Sequence, residues 1–359
     1  IDVDYTGRQR IAAYYYMVDL PLSGFFKVIG GVRHESTDLS IENEPEPFVT
    51  WIPPDADASQ DLDPPNAADV TYKQDDTLPS VGFVFEPFKE IAFRGSFSET
   101  IARQTFKELS PIQQMEYLGG DVFIGNPRLR MSELKNYDLR LDYTPYKGGL
   151  VSVSWFHKTI EDPIEYVQKV ADFTFTTPVN YPEGELTGYE FEIRQRMGEY
   201  WEQLDGLTLG ANATFIDSEV TLTPEEIAAF NQPNLRAPMT KRDMTNAPEH
   251  LYNLSATYDL PQHGTKFGLF YTVRGDTLVA GAGQSSGMLV PSIYERQYGT
   301  LNFTASQKLG EHATVSFKAK NLLDPEIKTV YRSRYIDGDV TRTSYRKGMS
   351  FSLSLSMEW

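Results

Sequence analysis

Apolar and polar side chains alternate strictly at the carboxy-terminal end of the chain. Four serines and a glutamate separate the apolar positions, which are Met349, Phe351, Leu353, Leu355, Met357 and Trp359. Because successive side chains of a strand point to opposite faces, this pattern predicts a strand with one apolar and one hydroxyl-rich face. At about 3.3 Å per residue and a tilt near 45°, the strand spans about 25 Å, the height of the apolar band of a membrane barrel. A strand of a soluble β-sandwich gives the same local pattern, so the rest of the chain must decide.

Twelve further segments show the same period of two. They are rich in β-branched and aromatic residues, which favour strands. Together with the last segment, the predicted strands are residues 10–20, 26–32, 81–85, 91–97, 136–143, 151–155, 189–196, 207–215, 252–259, 267–273, 301–306, 313–320 and 349–359. The first segment is apolar on both faces, so its phase is ambiguous. The sequence therefore predicts an all-β chain of about thirteen strands.

The connections between these segments alternate between short and long. The short ones are 20–24, 86–89, 144–148, 261–264 and 309–312, and the long ones are 40–76, 100–133, 161–184, 221–248, 276–298 and 324–347. A compact soluble domain tolerates few unstructured loops longer than about 12–15 residues. Outer-membrane barrels, in contrast, have short periplasmic turns and long outer loops. The alternation therefore favours a transmembrane antiparallel β-barrel.

The number of predicted strands indicates that the barrel is incomplete. If the last strand descends towards the periplasm, all long loops lie outside the cell and the first strand descends too. Barrels of single bacterial chains contain an even number of strands. We therefore expect residues 1–359 to be the carboxy-terminal portion of a larger barrel, with further strands upstream. A miscount by one strand is the alternative explanation.

Composition excludes several other classes of protein. The chain has 359 residues, a net charge of −17 and no cysteine. The acidic balance argues against a nucleic-acid ligand, and the missing cysteines exclude disulfides, thiol nucleophiles and thiolate metal sites. No apolar run approaches the roughly 20 residues of a transmembrane helix. The chain opens at Ile1 without a signal sequence, so we expect any signal peptide to have been removed or to lie upstream.

Several short motifs occur at matching positions along the predicted strands. They are RGSFSETIAR at 94–103, FKELSP at 106–111, GNPRL at 125–129, NYDL at 136–139, GLVSVSWFHK at 149–158 and NLLDP at 321–325. In this order, with the terminal Trp359, they resemble the TonB-dependent outer-membrane receptors from about residue 92 onwards. Leu323 and Trp359 stand where phenylalanine is common in that family, and both remain apolar.

The resemblance implies a fold, a location and a function. It implies a 22-stranded barrel in the outer membrane of a Gram-negative bacterium, of which this chain would supply about thirteen strands. The barrel would be filled by the protein's own plug domain, and uptake of a scarce nutrient would be driven by the TonB complex. The plug and the segment that contacts TonB would lie upstream of this chain. The resemblance implies no catalysis.

The nutrient itself cannot be read from the sequence. An oligosaccharide, a metal chelate and a peptide are all compatible with the resemblance. The acidic exterior argues mildly against a highly anionic iron chelate. Two other functions stay open: a passive porin-like channel narrowed by a loop, and a secreted β-rich protein that binds glycans.

One acidic segment has the spacing of a calcium loop. Oxygen-bearing side chains occupy alternate positions at Asp55, Asp57, Ser59, Asp61 and Asp63. Calcium prefers such hard oxygen ligands. The usual glycine at the sixth position is missing, and Asn66 stands at the twelfth where a glutamate is typical. A solvated acidic loop is therefore the alternative, and we predict no other cofactor.

Two further sets of residues are candidates for contact with a ligand or plug. Charged residues that share the inward phase are Arg94, Arg140, Glu190, Glu192, Arg194, Arg196, Lys318 and Lys320. They would form ion pairs in a wet lumen, grip a plug or guide a substrate. Aromatic residues in the outer loops are Trp51, Phe106, Tyr117 and Tyr181. They would stack on a sugar or chelate, or pack the loops against one another.

Overall fold

A computed structural model describes residues 3–45, 50–52, 59–62, 64, 66–111, 113–115, 122–170, 173–232, 238–285, 288–335 and 337–357. Most of these residues belong to one large sheet. Its strands are β1 (Val3–Ser23), β2 (Phe26–Pro45), β3 (Val70–Phe88), β4 (Ile91–Ala102), β5 (Ser132–Tyr143), β6 (Leu150–Glu161), β7 (Glu183–Arg196), β8 (Leu207–Thr221), β9 (His250–Leu260), β10 (Thr265–Arg274), β11 (Tyr298–Leu309), β12 (Ala313–Lys320) and β13 (Ser350–Met357).

Each strand of this sheet pairs with the next one along the chain, and every pair is antiparallel. The order from β1 to β13 is therefore an uninterrupted meander. All thirteen predicted strands are confirmed within the described residues, and β12 has the predicted bounds. Trp359, which ended the predicted last strand, lies outside the described residues.

The first three strands are longer than the sequence predicted. β1 has 21 residues and β2 has 20, about twice what a strand needs to cross a bilayer. The predicted loop 40–76 is therefore too long, because β2 continues to Pro45 and β3 begins at Val70. Alternation of apolar side chains stops beyond Val32, where Ser36 and Asp38 replace it, although the backbone ladder continues. Here the outward face becomes polar and exposed, while the opposite face is buried by residues such as Thr37, Leu39 and Ile41. A pattern that requires apolar residues on the outward face therefore does not detect this part of the strands.

The pairing register also settles the phase of β1. Tyr14 pairs with His34 and Tyr16 with Val32, so these tyrosines share the outward face of β2. The rings of Tyr14 and His34 lie 5.2 Å apart between centroids. Side chains of directly paired residues lie on the same face of a sheet, which is information that the β1 sequence alone does not contain.

Short turns and long loops lie at opposite ends of the sheet. The turns are 24–25, 89–90, 144–149, 197–206, 261–264 and 310–312, and the loops are 46–69, 103–131, 162–182, 222–249, 275–297 and 321–349. Gly264 and Gly310 have φ of 65° and 70°, a left-handed conformation that suits glycine in a tight turn. The turn 197–206, which the sequence did not single out, contains two 3-10 turns, Met197–Glu199 and Glu202–Leu204.

The outward face of the sheet is apolar and exposed. Leu139 in β5, Phe191 in β7 and Leu353 in β13 are all exposed, and Leu353 keeps 74% of its surface. A water-soluble protein rarely leaves an apolar patch of this extent uncovered. The arrangement is that of strands whose outer face contacts lipid. In the described part of the chain, no helix is long and apolar enough to span a bilayer.

The buried core lies at the loop end rather than inside the sheet. Short strands and helices of the loops build it, and they are Thr50–Trp51, Gln60–Asp61, α1 (Phe106–Leu109), Gln113–Gln114, Phe123–Ile124, Ile164–Val170, Thr174–Asn180, α2 (Pro224–Phe230), Lys241–Arg242, Thr277–Ala280, Gly283–Ser285, Met288–Val290, Ser292–Glu295, Ile327–Arg332 and Val340–Tyr345.

Thr223 caps α2 by accepting a hydrogen bond from the Glu226 amide.

We predict that the outward face contacts hydrocarbon. This chain has no cysteine, so Leu353→Cys and Ser354→Cys each introduce one site for a nitroxide label once any cysteine upstream of the chain is replaced by serine. On the full-length protein in bilayers, oxygen should relax the label at position 353 and a water-soluble nickel chelate should relax the label at 354, because oxygen concentrates in lipid. Preferential relaxation of the label at 353 by the nickel chelate would contradict a membrane barrel.

Candidate ligand-binding site among the long loops

The inward charges that the sequence singled out are only partly brought together. Arg94 and Arg140 are direct neighbours across β4 and β5. Both donate hydrogen bonds to Asp142, from Arg140 at 2.7 Å, and Arg140 also donates to Glu192 at 3.0 Å. Asp142, which the sequence analysis did not select, therefore joins Arg94 to Arg140, and Arg140 extends the network to Glu192. This ion-pair network runs across β4 to β7 on the face opposite the apolar side chains.

The remaining inward charges lie apart from this network. Glu190 is paired in register with Thr214, and Arg194 with Gly210. Arg196 forms an ion pair with Asp205 at 3.2 Å in the turn 197–206, at the opposite end from the long loops. Lys318 and Lys320 lie near the end of the meander, opposite Ser352 and Ser350. These positions do not converge on one site.

The four candidate aromatic residues have different environments. Trp51 is half-buried in the short hairpin with Gln60–Asp61. Phe106 begins α1 and packs against the cluster of Leu39, Ile41, Val70, Leu109 and Leu129. Tyr181 is 1% exposed, so it packs the loops together, which is the second role that the sequence left open. Tyr117 lies outside the described residues.

The predicted calcium loop is only partly described. Asp61 is exposed in a two-residue strand, and Ser59 directly precedes that strand. Asp55, Asp57 and Asp63 lie outside the described residues, so calcium binding there stays a prediction. Among the residues that the structure does describe, no group of three or more His, Asp or Glu side chains could hold a metal ion.

The long loops share one large apolar cluster, which we call the loop core. Its buried members come from β6, β8 and three of the loops, and they are Ile160, Tyr181, Val220, Leu222, Phe230, Met244 and Ala282. Burying each of the larger side chains stabilises the assembly by about 1.5–3 kcal/mol. The loops are therefore a packed layer that rests on the end of the sheet.

A buried ion pair lies beside the loop core. The Arg242 side chain is 6% exposed and the Glu165 side chain 1%. Arg242 Nη1 donates to Glu165 Oε2 at 2.7 Å, and the Thr245 amide donates to the same oxygen at 2.8 Å. Burial raises the pKa of Glu165, while Arg242 and the Thr245 amide oppose this shift. Losing either partner would leave a buried charge unpaired, which typically costs about 3–5 kcal/mol.

Tyr181 connects this ion pair to α2. The Arg242 guanidinium carbon lies 4.8 Å from the centroid of the Tyr181 ring, within the range of a cation–π contact. The Tyr181 hydroxyl donates to Glu226 Oε1 at 2.7 Å. Burial raises the pKa of Glu226, and the hydrogen bond from Tyr181 partly opposes this shift. Residues from two separate loops, 162–182 and 222–249, thus depend on one another.

A cavity of about 480 Å³ opens next to this centre, and we call it the basic cavity. Its walls come from residues 238–243, 282, 289, 292, 294 and 332–335. The apolar part contains Met239 and Leu289, and the charged part contains Lys241, Arg242, Arg332 and Arg334. Cavities of roughly 300–1,000 Å³ with an apolar lining and a few fixed polar groups are typical of small-molecule sites.

Arg332 fixes one wall of the basic cavity. It donates to Asp276 at 2.6 Å and to Asp339 at 2.9 Å. Its guanidinium carbon lies 4.4 Å from the centroid of the Tyr294 ring. The Tyr294 hydroxyl in turn donates to Asp243 at 2.9 Å. These contacts hold three loops in one arrangement around the cavity.

Sequence reasoning missed the residues of this cavity, because none of them belongs to an alternating segment. The available signal was local charge. Lys241 and Arg242 are adjacent, and Arg332 and Arg334 are separated by one residue, in a chain whose net charge is −17. Short basic runs of this kind stand out in an acidic chain, but only the folded loops place them together.

Comparison with known proteins shows which proteins share the large sheet of this chain. Residues 2–322 match the family model described as "TonB dependent receptor-like, beta-barrel". No curated protein sequence matches the chain. Similar solved structures include the copper transporter OprC, with a TM-score of 0.60 and 11% identity over 98% of this chain and 48% of that one.

Two further structures show the same similarity of fold. The ferric-catecholate import receptor Fiu from K12 E. coli has a TM-score of 0.59 and 12% identity, over 98% of this chain and 45% of that one. The ferric yersiniabactin uptake receptor FyuA from Yersinia pestis has a TM-score of 0.57 and 15% identity, over 99% of this chain and 47% of that one. The chain thus spans about half the length of the solved structures that it resembles.

We predict that Phe230 holds the loop core together without supporting the sheet. Phe230→Ala removes a buried ring, at a local cost of about 3–5 kcal/mol. Trypsin should then cleave the full-length protein faster after Lys241 or Arg242, while the barrel keeps its heat-dependent migration in gels. Glu225→Ala, an exposed change on the same helix, is the matched control. Equal cleavage of the Phe230 variant and the control would contradict the prediction.

We also predict that Glu226 makes the loops less stable as the pH rises. Because burial holds the pKa of Glu226 above its ordinary value, the folded loops bind this proton more tightly than unfolded loops do. The stabilisation is therefore complete at low pH and is lost as the pH rises through the raised pKa. Hydrogen exchange in residues 222–232, corrected for intrinsic rates, should show protection that declines as the pH is raised above 4.5, the ordinary pKa of a glutamate.

The variant Glu226→Gln tests the cause of this pH dependence. The amide keeps an acceptor for the Tyr181 hydroxyl and carries no charge. Its protection should therefore stay level across the same pH range, whereas the exposed control Glu225→Gln should follow the unmodified protein. A decline in Glu226→Gln as steep as that of the control would show that another group titrates.

Proposed function

This chain belongs to the family of TonB-dependent receptors, and we propose that it is the carboxy-terminal part of a barrel that takes up a scarce nutrient with energy from TonB. Its location is the outer membrane. The observation that carries the proposal is that the family match over residues 2–322 covers twelve consecutive strands of the antiparallel meander. Short turns at one end and long loops at the other complete the arrangement expected of such a barrel.

The proposal includes parts of the receptor outside this chain. Within the described residues, β1 and β13 each pair with one neighbour only. Backbone groups in lipid need hydrogen-bond partners, so further strands must cover these edges in a membrane. We propose that the upstream part of the protein supplies those strands, a plug inside the barrel and the segment that contacts TonB.

The proposal assigns transport to this protein and no catalysis. The family consists of receptors, and the similar solved structures are transporters and receptors by their descriptions. By their descriptions, these proteins transport copper, import a ferric catecholate and take up ferric yersiniabactin, so a metal chelate is the class of nutrient that they favour. Oligosaccharides and peptides remain alternatives for this chain.

The conductance of the full-length protein tests the proposal. A receptor filled by a plug should be nearly closed in a planar bilayer, because the plug blocks the lumen. Deleting the upstream plug segment should produce a large, steady conductance, and this variant is the control for correct insertion. An open channel in the intact protein would instead indicate a passive porin-like function. Full solubility without detergent would indicate a secreted protein.

A further inference from the structure

The walls of the basic cavity reverse the charge of the chain as a whole. Four cationic side chains line it, and Asp243 is the one carboxylate among its lining residues in the described part of the chain. Three of these cations have carboxylate partners outside the lining: Lys241 pairs with Glu219, Arg242 with Glu165 and Arg332 with Asp276. Salt screens charges beyond about 8–10 Å, so a ligand inside the cavity responds to the walls and these partners more than to the other acidic residues of the chain. Net charge is therefore a poor guide to what the cavity can bind.

Arg242 has donor groups that the protein does not use. Its Nη1 donates to Glu165 and to the Asp243 carbonyl oxygen. Its Nη2 is buried and has no hydrogen-bond partner within the described residues. A buried donor without a partner destabilises the folded protein, and the cost is larger when the group is charged. Because Arg242 lines the cavity, a bound oxyanion could satisfy these N–H groups.

Arg334 has a positive charge that its neighbours leave uncompensated. It donates to the Tyr335 hydroxyl at 2.7 Å and to the Pro238 carbonyl oxygen, and both acceptors are neutral. Arg332, two residues away, forms ion pairs with Asp276 and Asp339 instead. No carboxylate forms an ion pair with Arg334 among the residues that the structure describes. Arg334 is therefore available to pair with an anionic ligand.

The rest of the cavity suits a ligand with an apolar body. Met239, Leu289 and Ala282 provide aliphatic surface, and the Tyr294 ring provides an aromatic one. The cation–π contact with Arg332 and the hydrogen bond to Asp243 fix the orientation of Tyr294. Fixed surfaces of this kind reduce the entropy that binding would otherwise cost.

We propose that the basic cavity binds a small organic anion whose oxyanion head group pairs with Arg242 Nη2 and Arg334. The apolar body of the ligand contacts Met239, Leu289 and Tyr294. The inference deepens the proposed function, on which it rests, by giving the nutrient a chemical class and a site. It also replaces the expectation, drawn from net charge, that a strongly anionic ligand is disfavoured.

Salicylate and its neutral analogue salicylamide are matched probes for this proposal. Both are small aromatic molecules, and only salicylate carries a carboxylate. Titrations of the full-length receptor in lipid nanodiscs, followed by ligand-observed NMR, should show at least about tenfold tighter binding of salicylate. Raising the salt concentration should reduce this preference, because both arginine contacts are electrostatic. Equal binding of the two probes, or binding of neither, would overturn the proposal.

Variants assign the binding to the cavity. Arg334→Gln should weaken salicylate binding about tenfold and leave salicylamide unchanged, since one charge-assisted contact is lost. Arg346→Gln removes the same charge from an exposed position of the same loop and should have no effect. Arg242→Lys keeps a charge near Glu165 and removes Nη2, so it should also weaken binding. If the Arg242→Lys variant fails to fold, the Arg334→Gln variant still shows whether salicylate binds in the cavity.

The binding test of this site and the conductance test of the proposed function can fail independently of each other. A closed receptor in planar bilayers that shows no preference for salicylate would retain the transport function and refute this site. A permanently open channel that binds salicylate through Arg334 would refute active transport and retain the site. Equal salicylate affinity in Arg334→Gln and Arg346→Gln would refute the role of the cavity in either case.

Discussion

The need of every backbone amide and carbonyl for a hydrogen-bond partner governs this structure. In a bilayer there is no water to satisfy these groups, so strands cross it only when each is paired on both sides. The uninterrupted antiparallel ladder from β1 to β13 meets this requirement between its two edges. Lipid contact also favours the mainly apolar side chains of the outward face, on which tyrosines such as Tyr14 and Tyr16 are the principal polar exceptions within the apolar band. The ion pair of Arg140 with Glu192 lies on the other face.

A sheet of this kind cannot bury a core between two layers, and the core therefore forms where the loops meet. The loop core joins residues from β6, β8 and three loops, and the pair of Arg242 and Glu165 lies beside it. Loops are otherwise the most variable part of a protein and the usual place for recognition. Here the loops are packed against one another and also form a cavity. The walls of this cavity carry the donor groups of Arg242 that have no partner in the described residues. The position of the cavity at the loop end agrees with a receptor that takes its ligand from outside the cell.

The accuracy of the sequence-based prediction varied along the chain for physical reasons. β12 and β13 were predicted closely, because each lies in the apolar band and alternates along most of its length. β3 was predicted as residues 81–85 and extends over Val70–Phe88, because its other residues are polar or do not alternate. Tyr181 was recognised as a loop aromatic, but its burial and its bond to Glu226, 45 residues away, could not be read from the chain. The calcium prediction remains open, since most of its residues are not described.

The sequence by itself determined the class of fold, the number of strands, their alternation with short turns and long loops, and the family. Each of these is a local property: a period of two, or the length of a connection, is visible in a short window of residues. Only the tertiary structure decided which loop residues meet. Glu165 and Arg242 are separated by 77 residues, and Arg332 reaches Asp276 across 56. Such pairs depend on where the sheet delivers each loop, so no periodicity records them, and the chemistry of the cavity emerges only when the loops pack.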